Sequence, residues 1–141
     1  MSPAVLLDTC AVIWLANGDS LREEALAAIM HAALAEGVFV SPVSAWEIGM
    51  LARPRGERAP VRFLPDPATW FARFMAGPAI KTAALTGEIA IAASTLPEPL
   101  HGDPADRLLL ATARHLAMPL VTRDSRILAW AAAGHVAAIE C

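Results

Sequence analysis

The sequence predicts an α/β fold, three layers (α/β/α) around a parallel central sheet. Short apolar runs of strand length recur along the chain and alternate with helical segments. The first of them, Ala4 to Leu7, is continuously apolar, as expected of a strand buried on both faces. Proline follows a capping residue at Ser41-Pro42, Asp66-Pro67 and Asp103-Pro104, a pattern that opens helices. Alternating elements, with no repeat and no low-complexity tract, give a parallel sheet covered on both sides.

Taken in order, strand 1 is Ala4 to Leu7 and a helix runs from about Thr9 to Ala16, broken by Asn17-Gly18-Asp19. Ser20 with Glu23 forms a capping box for a helix reaching about Glu36, which Gly37 stops. Val38 to Val40 is strand 2. Ser41-Pro42 opens a helix that carries Trp46, Glu47 and Met50 and ends before Pro54. The stretch from Arg53 to Arg62 has no apolar period, so it reads as an exposed basic loop. Asp66-Pro67 starts a helix with Trp70, Phe71 and Phe74, and Pro78 to Ala83 is a weak third strand. Thr86 to Thr95 is helical and ends at Pro97-Glu98-Pro99. Asp103-Pro104 opens the clearest helix in the chain. Pro119 to Thr122 forms strand 4, Asp124 to Ala133 a helix, and Val136 to Ile139 a last strand.

The 141 residues suit a single domain, 1–141. The hydrophobic fraction is 56% and mean hydropathy is +0.48, high values that point to a partner or a dimer. Charge-free stretches fall short of the ~18 residues a membrane span needs, so no membrane role is expected. Cys10 and Cys141 give neither a disulfide framework nor zinc spacing. With no signal pattern before Asp8, the cytoplasm is the expected location. A net charge of −3 advertises no whole-molecule affinity for nucleic acid, so any such binding is local.

Four carboxylates follow apolar runs or open helices: Asp8, Glu47, Asp106 and Asp124. In a parallel α/β sheet these positions converge at the carboxyl ends of the strands. Taken singly, Asp8 and Asp124 are ordinary helix caps, and Asp103 with Asp106 a capping pair. Glu47, beyond the first turn of its helix, is no cap. Their shared placement in successive strand-to-helix units favours a cluster. Gathered acids repel unless a cation joins them, and magnesium or manganese suits oxygen ligands.

Phosphodiester hydrolysis fits such a site, because a divalent ion activates water and no side-chain nucleophile is needed. The chain has no Gly-x-Ser-x-Gly, no Walker loop and no Gly-x-Gly-x-x-Gly. Arg107 and Arg123 adjoin Asp106 and Asp124, as ion-pair partners or as phosphate contacts. The loop with Arg53, Arg55 and Arg58 is the best candidate for holding a polyanion near an acidic cleft. His101 is the one histidine close to the cluster; a surface or satisfied histidine is its ordinary reading, and substrate contact the functional one.

The ordered motifs Leu6-Leu7-Asp8-Thr9, Ser41-Pro42-Val43-Ser44-Ala45-Trp46-Glu47-Ile48, His101-Gly102-Asp103-Pro104-Ala105-Asp106-Arg107 through Ala113, and Leu120-Val121-Thr122-Arg123-Asp124 resemble the PIN domain, specifically VapC-type toxins of bacterial toxin-antitoxin modules. The resemblance covers almost the whole chain. It implies a PIN-like fold and a Mg2+- or Mn2+-dependent endoribonuclease, usually a homodimer, inhibited by a cognate antitoxin. Asp8, Glu47, Asp106 and Asp124 match its acidic quartet. Asp103 is accessory, and Thr9 and Thr122 orient the site through their hydroxyls. On this reading Asp8, Asp106 and Asp124 hold metal while Glu47 completes the coordination or positions water. The Pro54 to Pro65 insertion tunes substrate choice.

Two rivals share the fold. A phosphotransfer enzyme would use Asp8 as nucleophile, but it wants a second acid where Cys10 stands and a lysine late in the sheet. A non-catalytic module would use the acids to dock a partner's arginine.

Overall fold

The computed structural model describes residues 4–141. Among these, five strands are formed: β1 (Ala4–Leu7), β2 (Gly37–Val40), β3 (Ile80–Thr82), β4 (Leu120–Thr122) and β5 (Ala138–Glu140). Seven helices connect or follow them: α1 (Thr9–Asn17), α2 (Glu23–Ala33), α3 (Pro42–Leu51), α4 (Pro67–Met75), α5 (Gly87–Ala93), α6 (Pro104–Leu116) and α7 (Ser125–Ala132). All strand pairs are parallel, in the order β3-β2-β1-β4-β5.

Side chains alternate across the sheet, so neighbouring residues of one strand feed opposite cores. Leu6 and Leu120 pack with Ile89 of α5, Leu110 of α6, and Ile127 and Trp130 of α7. Val5, Leu7, Val38, Val40 and Val121 pack with Val12 of α1, Ile29 of α2 and Ile48 of α3. Both faces are covered, which is why the strands read as unbroken apolar runs. A smaller contact of Val43 with Ala105 and Leu109 joins α3 to α6.

Strand order sets where a site can form. From β1 the chain moves outward to β2 and β3, and later returns to β4 on the opposite side of β1. The crevice at such a reversal opens beyond the carboxyl ends of the two adjacent strands. Here those strands are β1 and β4, which end beside Asp8 and Asp124.

Six helices begin with a side chain that accepts a backbone N–H: Asp8, Ser41, Asp66, Thr86, Asp103 and Asp124. α2 does not. The expected Ser20 capping box is absent, because α2 starts at Glu23 with Arg22 at the cap position and no side-chain cap bond. Ser20 therefore stands too far upstream to reach the orphan donors. Nor does α2 extend to Glu36; it ends at Ala33, and Gly37 is the first residue of β2 instead of a helix stop. Gly37 has φ +113°, a backbone conformation that L side chains rarely adopt, so this position requires glycine whatever the space around it. β5 starts at Ala138, two residues later than expected, because its partner β4 offers only Leu120–Thr122 for pairing.

Candidate functional site

Asp8, Glu47, Asp106 and Asp124 line one pocket of about 250 Å³, together with Thr9, Cys10, Trp14, Leu109 and Arg123. Four remote segments of sequence supply them. Asp8 and Asp124 come from the ends of β1 and β4, and Glu47 from the second turn of α3. Asp106 comes from the first turn of α6.

Asp8 is the most enclosed of the four. Its Oδ1 accepts the Ala11 N–H at 2.7 Å, and its Oδ2 accepts the Thr122 hydroxyl at 2.6 Å. Capping and clustering are thus compatible, since one oxygen serves α1 while the carboxylate still faces the pocket. Burial pushes the Asp8 carboxyl from 3.8 up to about 6, with the charges of Asp106 and Asp124 adding to the rise and the Thr122 and Ala11 hydrogen bonds opposing it. Thr122 also accepts the Asp124 N–H at 3.1 Å, which ties the two acids to one hydroxyl.

Glu47 accepts a hydrogen bond from Thr9, whose hydroxyl lies 3.0 Å from that of Ser44. Burial, with the charges of Asp106, Asp103 and Asp8, raises the Glu47 carboxyl above its ordinary value, against the Thr9 bond. Asp106 is likewise raised by burial, with Asp103 and Asp124 adding to it, although the His101 hydrogen bond works the other way. Asp124 differs. Burial is its largest single influence and pushes it up, but the Arg126 side chain and the backbone N–H groups of Arg126 and Ile127 together hold it below the ordinary value.

Asp103 is exposed and does not line the pocket; its Oδ1 caps α6 by accepting the Asp106 N–H at 3.0 Å. Arg107 turns away, its Nε donating to the Ala93 carbonyl at 3.0 Å and its Nη1 lying 3.4 Å from Glu98. Arg123 lines the pocket but is committed elsewhere. Its guanidinium stacks 3.8 Å from the Trp14 ring centroid and donates to the Cys141 main-chain oxygen at 2.9 Å. Arg53, Arg55 and Arg58 belong to the loop after α3, where Arg55 and Arg58 form an isolated bridge, and none of them lines the pocket.

Two further side chains enter the site: His101, which the sequence placed near the cluster with substrate contact as its functional reading, and Arg126, which the sequence did not single out. His101 Nε2 lies 2.7 Å from Asp106 Oδ2. Arg126 Nη2 lies 3.2 Å from Asp124 Oδ2 and 3.9 Å from Asp106 Oδ2. One ligand atom each of His101, Asp106 and Asp124 fall within 4.8 Å of one another, close enough to share a cation. The signal for Arg126 was its place two residues after the capping acid, where an α7 first-turn side chain can fold back. For His101 it was proximity to the Asp103-Pro104 helix start.

Fold and pocket together define a three-layer α/β protein with a four-carboxylate centre at its strand reversal. The PIN domain family signature spans residues 5–133. Ribonuclease VapC22 of Mycobacterium tuberculosis (strain ATCC 25618 / H37Rv) is 33% identical over 124 residues, 87% of this chain and 88% of that protein. The chain belongs to the PIN domain family and, within it, to the VapC group. In fold it is similar to a chain of VapBC2 from Rickettsia felis, solved bound to a DNA fragment from their promoter, with TM-score 0.69, 10% identity, and coverage of 97% and 98% of the two chains. It is also similar to VapBC-5 from Mycobacterium tuberculosis, a member of the VapBC family of toxin-antitoxin systems, with TM-score 0.59, 20% identity, and coverage of 99% and 100%. No helix among the described residues is long and apolar enough to cross a membrane.

Proposed function

We propose that this chain is a divalent-metal-dependent endoribonuclease that acts as the toxin of a toxin-antitoxin pair. The observation that carries the proposal is the meeting of Asp8, Glu47, Asp106 and Asp124 in one pocket. Three of these carboxyls are raised above their ordinary values, chiefly by burial and further by one another's charge, and a hard divalent cation such as Mg2+ or Mn2+ would relieve both. Arg126, on the rim, supplies only part of the countercharge.

In this reading Asp8, Asp106 and Asp124 hold the ion. The chemistry that a bound ion would supply there is polarisation of the scissile phosphate and a lowered pKa for the attacking water. Thr122 fixes the rotamer of Asp8, and His101 that of Asp106. Glu47, held by Thr9 and otherwise open to the pocket, takes a proton from the attacking water at its carboxylate. Arg126, exposed beside Asp124, is the cation best placed for a phosphate oxygen.

A cognate antitoxin that covers the acidic pocket, a homodimer, a cytoplasmic setting and a single folded unit over 1–141 belong to the same proposal. For the dimer, Leu26 and Met30 stand exposed one turn apart on α2, with exposed Leu34 just past its end. Phosphotransfer through Asp8 is not favoured: the sole lysine, Lys81, donates to the Glu36 carbonyl at 2.9 Å and does not line the pocket. The test is cleavage of labelled RNA with added manganese. Activity that stops with chelator and is lost in Asp8→Asn supports the proposal, and metal-independent cleavage or an active variant refutes it.

A further inference from the structure

Beside the acidic pocket lies a second cavity of about 470 Å³, whose walls include Pro99, Leu100, Ala129, Trp130 and Ala133. His101 and Arg126 line it too, and these same side chains contact Asp106 and Asp124. The groove therefore begins where the acids end. It follows α7 from Arg126 toward Ala133, roughly 10 Å at the helical rise.

We infer that this groove is a nucleotide subsite that seats the base and ribose flanking the scissile phosphate, with Arg126 at its mouth holding a phosphodiester oxygen. The inference rests on the ribonuclease reading and adds where the strand runs. Its exposed wall is mostly apolar, which suits the flat face of a base, and its polar lining comes from Glu98, His101, Arg126 and His135. The size falls within the ~300–1,000 Å³ of small-molecule sites. Arg126 has a side chain 59% exposed, which leaves it reachable by a polyanion while it still touches both acids.

The groove is also preformed. Trp130 Nε1 donates to the Pro97 carbonyl at 2.9 Å, and Arg107 fastens the preceding helix and Glu98. Glu98 in turn accepts the Leu100 N–H at 2.9 Å. The 97–101 segment is thereby held against α7, so little ordering cost attends ligand entry. A partner protein segment is the competing occupant. The contacts of His101 with Asp106 and of Arg126 with Asp124, which join the groove to the acidic centre, favour the RNA strand.

The experiment uses the full chain with Ala129→Phe and Ala133→Phe, both at exposed positions, to fill the groove. Fluorescence anisotropy with a labelled RNA decamer in chelator reads binding without turnover. The expected result is Kd raised about tenfold in both variants, with unchanged melting temperature and altered base preference in the cleavage products. Unchanged Kd in folded variants overturns the inference, as does loss of partner-protein binding with RNA binding intact. Should either variant fold poorly, photocrosslinking of wild type to thiouridine-containing RNA decides: adducts on 97–101 or α7 support the groove, and adducts confined elsewhere overturn it. Wild-type protein that neither binds nor cleaves RNA refutes the ribonuclease reading itself, whereas cleavage with indifferent variants removes only the subsite.

Discussion

Replacing Asp8 by asparagine is expected to make the metal-free protein more stable while disabling it. The Asp8 carboxyl rises from 3.8 to about 6 in the folded chain. Between those values the folded state binds more protons than the unfolded state, so stability falls as pH rises through the window and the full penalty stands above it. A shift of about two units corresponds to roughly 3 kcal/mol. Asparagine keeps an oxygen for the Ala11 N–H and caps helices as well as aspartate does, while the Thr122 hydroxyl can rotate to accept from the new amide. Allowing about 1 kcal/mol for the lost charge-assisted bonds, the metal-free variant gains about 1–2 kcal/mol at about pH 8. For a chain of this size that is a Tm increase of roughly 2–8 °C. Thermal melts of both proteins in chelator read the difference, which should vanish near about pH 4, where wild-type Asp8 is largely protonated. A variant that melts at or below wild type at the higher pH would mean that burial and neighbouring charge do not strain this carboxylate.

Manganese should raise the Tm of wild type at neutral pH, and the rise should shrink toward about pH 5 because Asp8, Glu47 and Asp106 all have raised carboxyls that protonate early; a pH-independent rise would place the ion elsewhere. Thr122→Val removes the hydroxyl shared by Asp8 and Asp124, so the Asp8 pKa should climb further and cleavage fall about tenfold or more. Carbon-detected NMR titration and steady-state kinetics check the two effects. Arg107→Ala strips the donor from the Ala93 carbonyl and should lower Tm by several degrees, on the order of 1–2 kcal/mol; an unchanged melt would show that this bond contributes nothing.

The convergence of the four acids was legible in the sequence and the direction of the arginine side chains was not, for a physical reason. Asp8 and Asp124 sit at ends of parallel strands, so backbone topology alone carries them to one rim, and Ser41-Pro42 fixes where α3 starts and hence where Glu47 falls. Arg107 and Arg123 have long side chains whose direction is set by acceptors far away in sequence, the carbonyl of Ala93 and the main chain of Cys141. Neighbourhood to an acid therefore said little about where they point. Arg126 and the commitment of His101 to Asp106 were missed for another reason: their acceptors are near in sequence, two and five residues away, but the rotamers that reach them are not set by sequence spacing. In the fold, strong N-caps were legible because they are local, whereas the starts of β2 and β5 depend on pairing partners: Gly37 is taken up opposite Ala4 of β1, and β5 is limited by the short reach of β4.

The central claim is that Asp8, Asp106 and Asp124 converge to hold a divalent ion. Anomalous diffraction from crystals soaked in manganese tests it most directly. The account predicts a peak within ordinary coordination distance, about 2.2 Å, of carboxylate oxygens from Asp8 and at least one of Asp106 and Asp124. Manganese bound only outside this pocket, with the four acids contacting nothing but protein and water, would contradict it.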